Sequence, residues 1–385
     1  MNRSLIVYGF LLMAGLGASW VQYTSDDAPA KDGVAVYEAA PTDIRKIVYT
    51  SPDLTVSYEI RNDDFGSYGW VTLDEVKKKK GEGGVETTET KTTRFKSGET
   101  GDKLVATWAP LMAVRRLDGV TDEQKAGFGL DTSDSSITVT VGGEARTLDL
   151  GGETYGAKDR YARDRSSGLI YVLLKDTIST LRFARTKLKD SELFPYKEED
   201  VVGVSLGLGA GSASWTQKNI DDRTVAFWER DGAAKDETFS NWLDKALKLR
   251  ASDYVQEGEE PAELLSAFDL TLRAVEGKPV TVHVLRSGED WYARSEHTRL
   301  LVRLSKTSTK ELFDDVDDVI EGRAPPVKEE GPTPAAPTTP GAGTRADAAP
   351  PAPGGPPADG ATPPGPRMPK PPHGLPGLPK PPSGH

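Results

Sequence analysis

Apolar and polar positions alternate with a period of two through most of the middle of the chain. Residues 46–49, 55–60 and 69–73 alternate in this way and predict three strands. A long polar excursion comes next, with Lys77, Lys78, Lys79 and Lys80 and then a threonine-rich alternation running to Phe95. Residues 136–141 and 145–150 alternate again across Gly142-Gly143, a pair suited to a two-residue hairpin turn. Further strands are predicted at 169–174, 201–215, 224–228, 270–275, 279–285 and 299–304, with a turn at Glu276-Gly277. Helical spacing takes over at about 102–117, bent or restarted at Pro110, and again from Thr177 and at 310–321. It is clearest at 237–250, where Phe239, Trp242, Leu243, Ala246 and Leu247 share one side. Pro261 sits where it favours the first turn of a short helix.

The order of elements recurs. Phe128-Gly129-Leu130 parallels Phe268-Asp269-Leu270, and Tyr161-Ala162-Arg163 parallels Tyr292-Ala293-Arg294. After each Tyr-Ala-Arg an apolar strand leads into a helix. A repeat of this size implies duplication of a domain rather than a solenoid. Helices and antiparallel hairpins in blocks imply α+β. The expected architecture is therefore two tandem divergent copies of an antiparallel-sheet-plus-helix unit, at residues 36–192 and 193–323.

The two ends depart from this pattern. Arg3 precedes a mostly apolar stretch at residues 5–21, and Asp26 and Asp27 come after it. The positive-inside bias places residue 1 in the cytoplasm and the rest outside. Residues 1–24 are read as a transmembrane anchor, the alternative being a cleaved signal peptide, with a linker at 25–35. From Ala324 onward lie most of the 28 prolines and almost no large apolar residue, so residues 324–385 are expected to be disordered. Pro369-Lys370-Pro371-Pro372 recurs as Pro379-Lys380-Pro381-Pro382. Such runs suit a proline-reading groove or an acidic surface, against the plainer reading of a solvated tail.

Composition narrows the chemistry. The net charge of −11 argues against nucleic acid as a partner. With no cysteine there is no disulfide, thiolate metal site or thiol nucleophile. Two of the four histidines, His373 and His385, fall in the tail, which argues against a histidine-rich metal site. Lys77 to Lys80 suit an anionic-lipid contact but are read as a solvated loop at a hairpin tip.

One motif has catalytic form. Gly203-Val204-Ser205-Leu206-Gly207 spells a nucleophile elbow, and Asp269 and His283 would complete the chain order of a Ser-Asp-His triad. The stretch after Gly207 alternates like a strand and has no helical period, and His283 lies among valines as an outward strand residue. The glycines lack the Lys-Ser/Thr of a phosphate loop. Asp314, Asp315, Asp317 and Asp318 interleave with an apolar helical stripe and are read as a solvated face rather than a calcium site. Tyr161 and Tyr292, beside Arg163 and Arg294, are read as packing residues. No residue is assigned a catalytic, cofactor-binding or metal-ligating role, and no cofactor is expected.

The order Phe128-Gly129-Leu130-Asp131, hairpin, Tyr161-Ala162-Arg163, apolar strand, behind one N-terminal apolar segment, resembles the bacterial family catalogued as domain of unknown function 4340. The resemblance extends over roughly residues 40–320, counting both copies. It implies a membrane-anchored protein of the inner membrane with a periplasmic ectodomain, working beside ABC transporters of the gliding-motility type. It transfers no catalytic residue. The lysine-rich excursion and the proline-rich tail have no counterpart in it. The expected role is a non-enzymatic envelope accessory protein. The alternatives are a structural tether acting through the tail and, as a minor reading, a hydrolase using Ser205. A reporter that works only outside the cytoplasm, fused after Arg323, is expected to be active; activity confined to cytosolic reporters would overturn this topology.

Overall fold

The computed structural model describes residues 33–80, 86–156, 158–222, 224–230 and 235–323. The expected anchor and tail lie outside them. Among the described residues no helix is long and apolar enough to cross a membrane.

The first stretch runs β1 (Val34–Tyr37), β2 (Ile44–Thr50), β3 (Leu54–Asp63), β4 (Gly66–Lys80), β5 (Glu86–Lys96), α1 (Glu99–Thr107), β6 (Leu111–Ala113), β7 (Arg115–Leu117), α2 (Asp122–Gly127), β8 (Ser136–Val141), β9 (Glu144–Glu153), β10 (Arg160–Asp164), β11 (Ile170–Leu173), α3 (Lys175–Arg182) and α4 (Ala184–Lys187). The second runs β12 (Val201–Leu208), β13 (Gly211–Lys218), β14 (Phe227–Arg230), α5 (Glu237–Leu247), β15 (Ala251–Tyr254), β16 (Leu265–Ala274), β17 (Val280–Ser287), β18 (Asp290–Ser295), β19 (Val302–Leu304) and α6 (Lys306–Glu321). The protein is mainly antiparallel sheet with some helix, an α+β arrangement. One sheet has nine strands in the order β5-β4-β3-β2-β8-β9-β10-β11-β7; the other has eight, β14-β13-β12-β16-β17-β18-β19-β15. A separate ribbon pairs β1 with β6.

Alternation sets which face of each sheet is buried. Ile47 and Tyr49 of β2, Val56 and Tyr58 of β3, and Val71 and Leu73 of β4 turn inward together. Tyr58 packs so closely that glycine is required beside it. A Cβ at Gly69 would lie 2.3 Å from its Oη, and one at Gly101 of α1 would lie 2.9 Å from its ring. In the second half the stripe read at 237–250 becomes α5. Phe239 stacks on Trp215 at 3.9 Å between ring centroids and meets Trp228 edge-on. The indole of Trp242 donates to the Leu312 carbonyl of α6 at 3.0 Å. The two helices thus pack on each other as well as on the sheet.

Four sequence expectations are corrected. Helix α1 ends before Trp108, and residues 111–117 are short strands in which Leu111 and Ala113 are buried and Met112 and Val114 exposed. That is a period of two, and the peptide at Pro110 is cis. Residues 201–215 are two strands, β12 and β13, turned at Gly209 with φ 58°. Pro261 starts no helix; the chain there leads into β16. The lysines at 77–80 lie on β4, each paired with β5 as far as Lys80 opposite Glu86, rather than in a loop. The backbone ladder supports this pairing without any apolar face, so alternation did not reveal it.

Replacing Phe239 by alanine removes the ring at the centre of the Trp215, Trp228 and Trp242 cluster. It is expected to cost about 3–5 kcal/mol of stability, read as a lowered urea midpoint. Loss under about 1 kcal/mol would show that this cluster does not carry the packing of the second half.

Candidate functional site

The pattern of buried charge draws attention to the junction of the two sheets. Lys96 ends β5, Asp190 lies in the segment joining the halves, and His297 lies in the turn between β18 and β19. Lys96 Nζ is 2.6 Å from Asp190 Oδ2, and His297 Nε2 is 3.0 Å from the same oxygen. Their side chains are about one-tenth exposed or less. Asp190 Oδ1 accepts from the Glu192 amide at 2.9 Å, so both carboxylate oxygens are engaged.

Backbone bonds clasp the joining segment from both sides. The Asp190 amide donates to the Lys96 carbonyl at 3.0 Å, and Ser97 pairs with Lys189 as an isolated bridge. From the other half, the Ala251 amide donates to the Ser191 carbonyl at 2.8 Å and the Ser295 hydroxyl to the Leu193 carbonyl at 3.0 Å. Arg299 continues the seam. Its guanidinium donates to both oxygens of Asp63 at 2.8 and 2.9 Å and lies 4.6 Å over the Tyr68 ring. Gln256, next to β15, accepts from the Arg94 amide at 2.7 Å and donates to the Arg94 carbonyl at 3.2 Å.

The electrostatics arise from burial. Burial alone would raise the Asp190 carboxyl. The hydrogen bond from His297, with the charge and hydrogen bond of Lys96, outweighs it and holds the group well below the usual carboxylate range. We assign the His297 Nε2 proton as donated to Asp190, because Lys96 lies farther from that nitrogen, at 3.3 Å, and has no lone pair to offer. Burial lowers the His297 pKa from 6.5, and the Asp190 hydrogen bond only partly opposes it. Beside them the buried Tyr254 hydroxyl is pushed up by burial and by the Asp190 charge, and among the described residues it has no hydrogen-bond partner. The arrangement joins two halves through a neutralised carboxylate. It presents no exposed nucleophile.

The residues singled out from sequence are placed elsewhere. Asp269 and His283 do meet, across β16 and β17, with Nδ1 2.8 Å from Oδ1, but both side chains are about half exposed to solvent. The Ser205 hydroxyl pairs with Ser214 at 2.9 Å on a hairpin strand, not on a strand-to-helix turn. Serine, aspartate and histidine are therefore not assembled as a triad. Asp314 pairs with Lys310 and Asp318 with Arg323 on the outer face of α6. Tyr161 stacks on Phe128 at 4.1 Å, and Arg163 bonds Asp149 at 3.1 Å. Tyr292 is buried, and Arg294 faces Glu260 at 3.5 Å. A separate cleft of about 610 Å³ holds Glu198, Glu199, Glu237 and Lys235 beside Trp228.

Residues 102–267 match the family described as Domain of unknown function (DUF4340). The match runs from α1 into β16, so it crosses the junction and includes Asp190, while Lys96 and His297 fall outside it. A search of curated proteins found no match.

Sequence reasoning missed this site because its members lie about a hundred positions apart and form no spacing motif. One signal was available: His297 is one of the two histidines outside the tail.

The junction makes stability depend on pH with one sign. His297 takes up a proton less readily folded than unfolded, so the unfolded chain gains on acidification, starting near its unperturbed 6.5. Asp190 contributes stability above its unperturbed 3.8 that is lost as the pH falls below it. The urea midpoint is expected to hold above pH 7, to fall from about pH 6.5 and to fall more steeply below about pH 4. His297→Gln should flatten the first limb only; an unchanged slope in that variant would place the pH dependence elsewhere. Lys96→Met, leaving Asp190 buried without its cation, should cost about 3–5 kcal/mol.

Proposed function

We propose that this chain is a non-enzymatic accessory protein of the bacterial cell envelope, held in the inner membrane by residues 1–24 and working through a periplasmic ectodomain with an ABC-type transporter. The observation that carries this reading is the family match across residues 102–267, taken with the apolar stretch behind Arg3. The family resemblance supplies the transporter; the charge asymmetry about residues 5–21 supplies the orientation.

The ectodomain is proposed to descend from one duplicated unit. Strand order supports it. Leaving aside β5, the sequence β4-β3-β2-β8-β9-β10-β11-β7 runs element for element beside β14-β13-β12-β16-β17-β18-β19-β15. Both halves break register near the start of the corresponding strand, between Ile44 and Lys46 and between Val201 and Gly203. Both carry a threonine pair bridged at 2.9 Å on the corresponding hairpin, Thr138 with Thr147 and Thr271 with Thr281. Tyr161-Ala162-Arg163 and Tyr292-Ala293-Arg294 fall on corresponding strands, β10 and β18. Phe128 and Phe268 do not: one comes after α2 and the other lies within β16.

An accessory role asks for surface and rigidity rather than a reactive centre, and two sheets clasped at a buried junction suit it. Crosslinking in intact cells, followed by purification from membranes, is expected to recover ABC transporter subunits with this chain. Repeated recovery without any transporter subunit would count against the proposal. Should deletion of residues 324–385 instead abolish the recovered partners, the tethering role of the proline-rich tail would take its place.

A further inference from the structure

The edge of the nine-stranded sheet carries an unused template. Strand β5 is the outermost strand, paired on one side only, with β4. Beyond β4, strand β3 reaches only as far as the pair Leu54 and Glu75, so β4 and β5 run on past the sheet as a two-stranded arm. Arg94 turns both its amide and its carbonyl outward, to Gln256. Alternate residues of a strand present their backbone groups to the same side. Thr92, Thr90 and Thr88 therefore also direct theirs outward, and among the described residues no backbone hydrogen bond reaches them.

The sequence along this edge reads Glu86-Thr87-Thr88-Glu89-Thr90-Lys91-Thr92-Thr93-Arg94. It is antisymmetric in charge about Thr90: each acid has a base at the same distance on the other side, and every remaining position is threonine. We propose that β5 pairs antiparallel with β5 of a second copy, about a two-fold axis at Thr90. In that register Glu89 faces Lys91 of the second copy, Thr88 faces Thr92, and Thr90 faces itself. Opposite charges and threonine pairs are both favourable cross-strand neighbours. The register also meets the backbone requirement, because it sets outward-facing residues against outward-facing residues. The Gln256 amide, already on Arg94, ends the added ladder. Nothing in this pairing depends on the transporter reading.

The interaction is isologous, so it closes at a dimer rather than extending into a filament. The pairing gives an arm with no apolar face a second backbone ladder. An isolated two-stranded ribbon is marginal in water, whereas a ribbon paired along its free edge is the centre of a continuous sheet.

Because the chain has no cysteine, the full chain in detergent can be tested with single introduced thiols. Thr90→Cys is expected to form a disulfide-linked dimer under mild oxidation at least about tenfold faster than Thr107→Cys, exposed on α1. Adding Lys91→Glu should suppress that crosslink by about tenfold. Adding Glu89→Lys as well should restore it. Within one arm the double exchange is unfavourable twice, since position 89 lies opposite Lys77 and position 91 opposite Glu75. Along the strand the exchange keeps only the weak 89–91 attraction, so full restoration of the crosslink reads the facing pairs between copies. Thr90→Pro, which removes an outward amide and leaves the β4 ladder intact, should slow sedimentation from dimer to monomer with unchanged thermal unfolding of the fold. Crosslinking of Thr90→Cys no faster than Thr107→Cys would overturn the pairing, as would the single and double charge variants behaving alike.

Discussion

A buried carboxylate cannot stay ionised without cations or hydrogen-bond donors close by, and Asp190 is such a group. Its position organises the molecule. It lies in the segment between the two halves, and the donors that neutralise it come from opposite sides: Lys96 from the end of β5, His297 from the β18–β19 turn. Satisfying one charge therefore places the second sheet beside the first. Hydrogen bonds from the backbone of residues 189–193 to the backbone of Lys96 and Ala251 and from the Ser295 hydroxyl hold the same segment from both sides, so ionic and hydrogen-bond terms act in the same place.

The seam extends that logic outward. Arg299 carries a guanidinium from the second half onto Asp63 and Tyr68 of the first, a bidentate and stacked geometry that lysine could not reproduce. Gln256 uses its side-chain amide as if it were a strand residue, meeting the edge of β5 at Arg94. Polar contacts line the seam, and apolar contacts run through it as well: Tyr58 between two glycines in the first half and Phe239 among tryptophans in the second belong to one continuous hydrophobic core, and Phe95 meets Tyr254 across the junction at 6.1 Å between ring centroids. The His297 imidazole and the Asp190 carboxylate place a buried, pH-sensitive pair within that seam.

Strand β5 shows how one element serves several interactions. Its inner residues Thr93, Phe95 and Lys96 are buried in the core and the junction; beyond Lys91 it leaves the body with β4 and offers only backbone, threonine and alternating charge. Lys77 to Lys80 read as a loop because nothing apolar alternates with them, yet they occupy a strand whose order comes from its ladder. The same limit applies at residues 111–117, where an expected helix gave way to strands with Leu111 and Ala113 turned inward. Where a segment is short or wholly polar, neighbouring strands decide its state.

The features readable without coordinates were those that repeat locally. Alternation located β2, β3, β8, β9, β16 and β17, Gly142-Gly143 marked their tightest turn, and the apolar stripe at Phe239, Trp242, Leu243 and Ala246 located α5, because each of these depends on residues within a turn or two of one another. The Tyr-Ala-Arg motif and its apolar successor pointed to the family later matched over residues 102–267. The meeting of Lys96, Asp190 and His297 depends on chain paths about a hundred residues long. No local period encodes it, and only the packing of two finished sheets brings those three side chains together. The same holds for Ser205: its motif was legible, but its partner, Ser214, was chosen by the hairpin register.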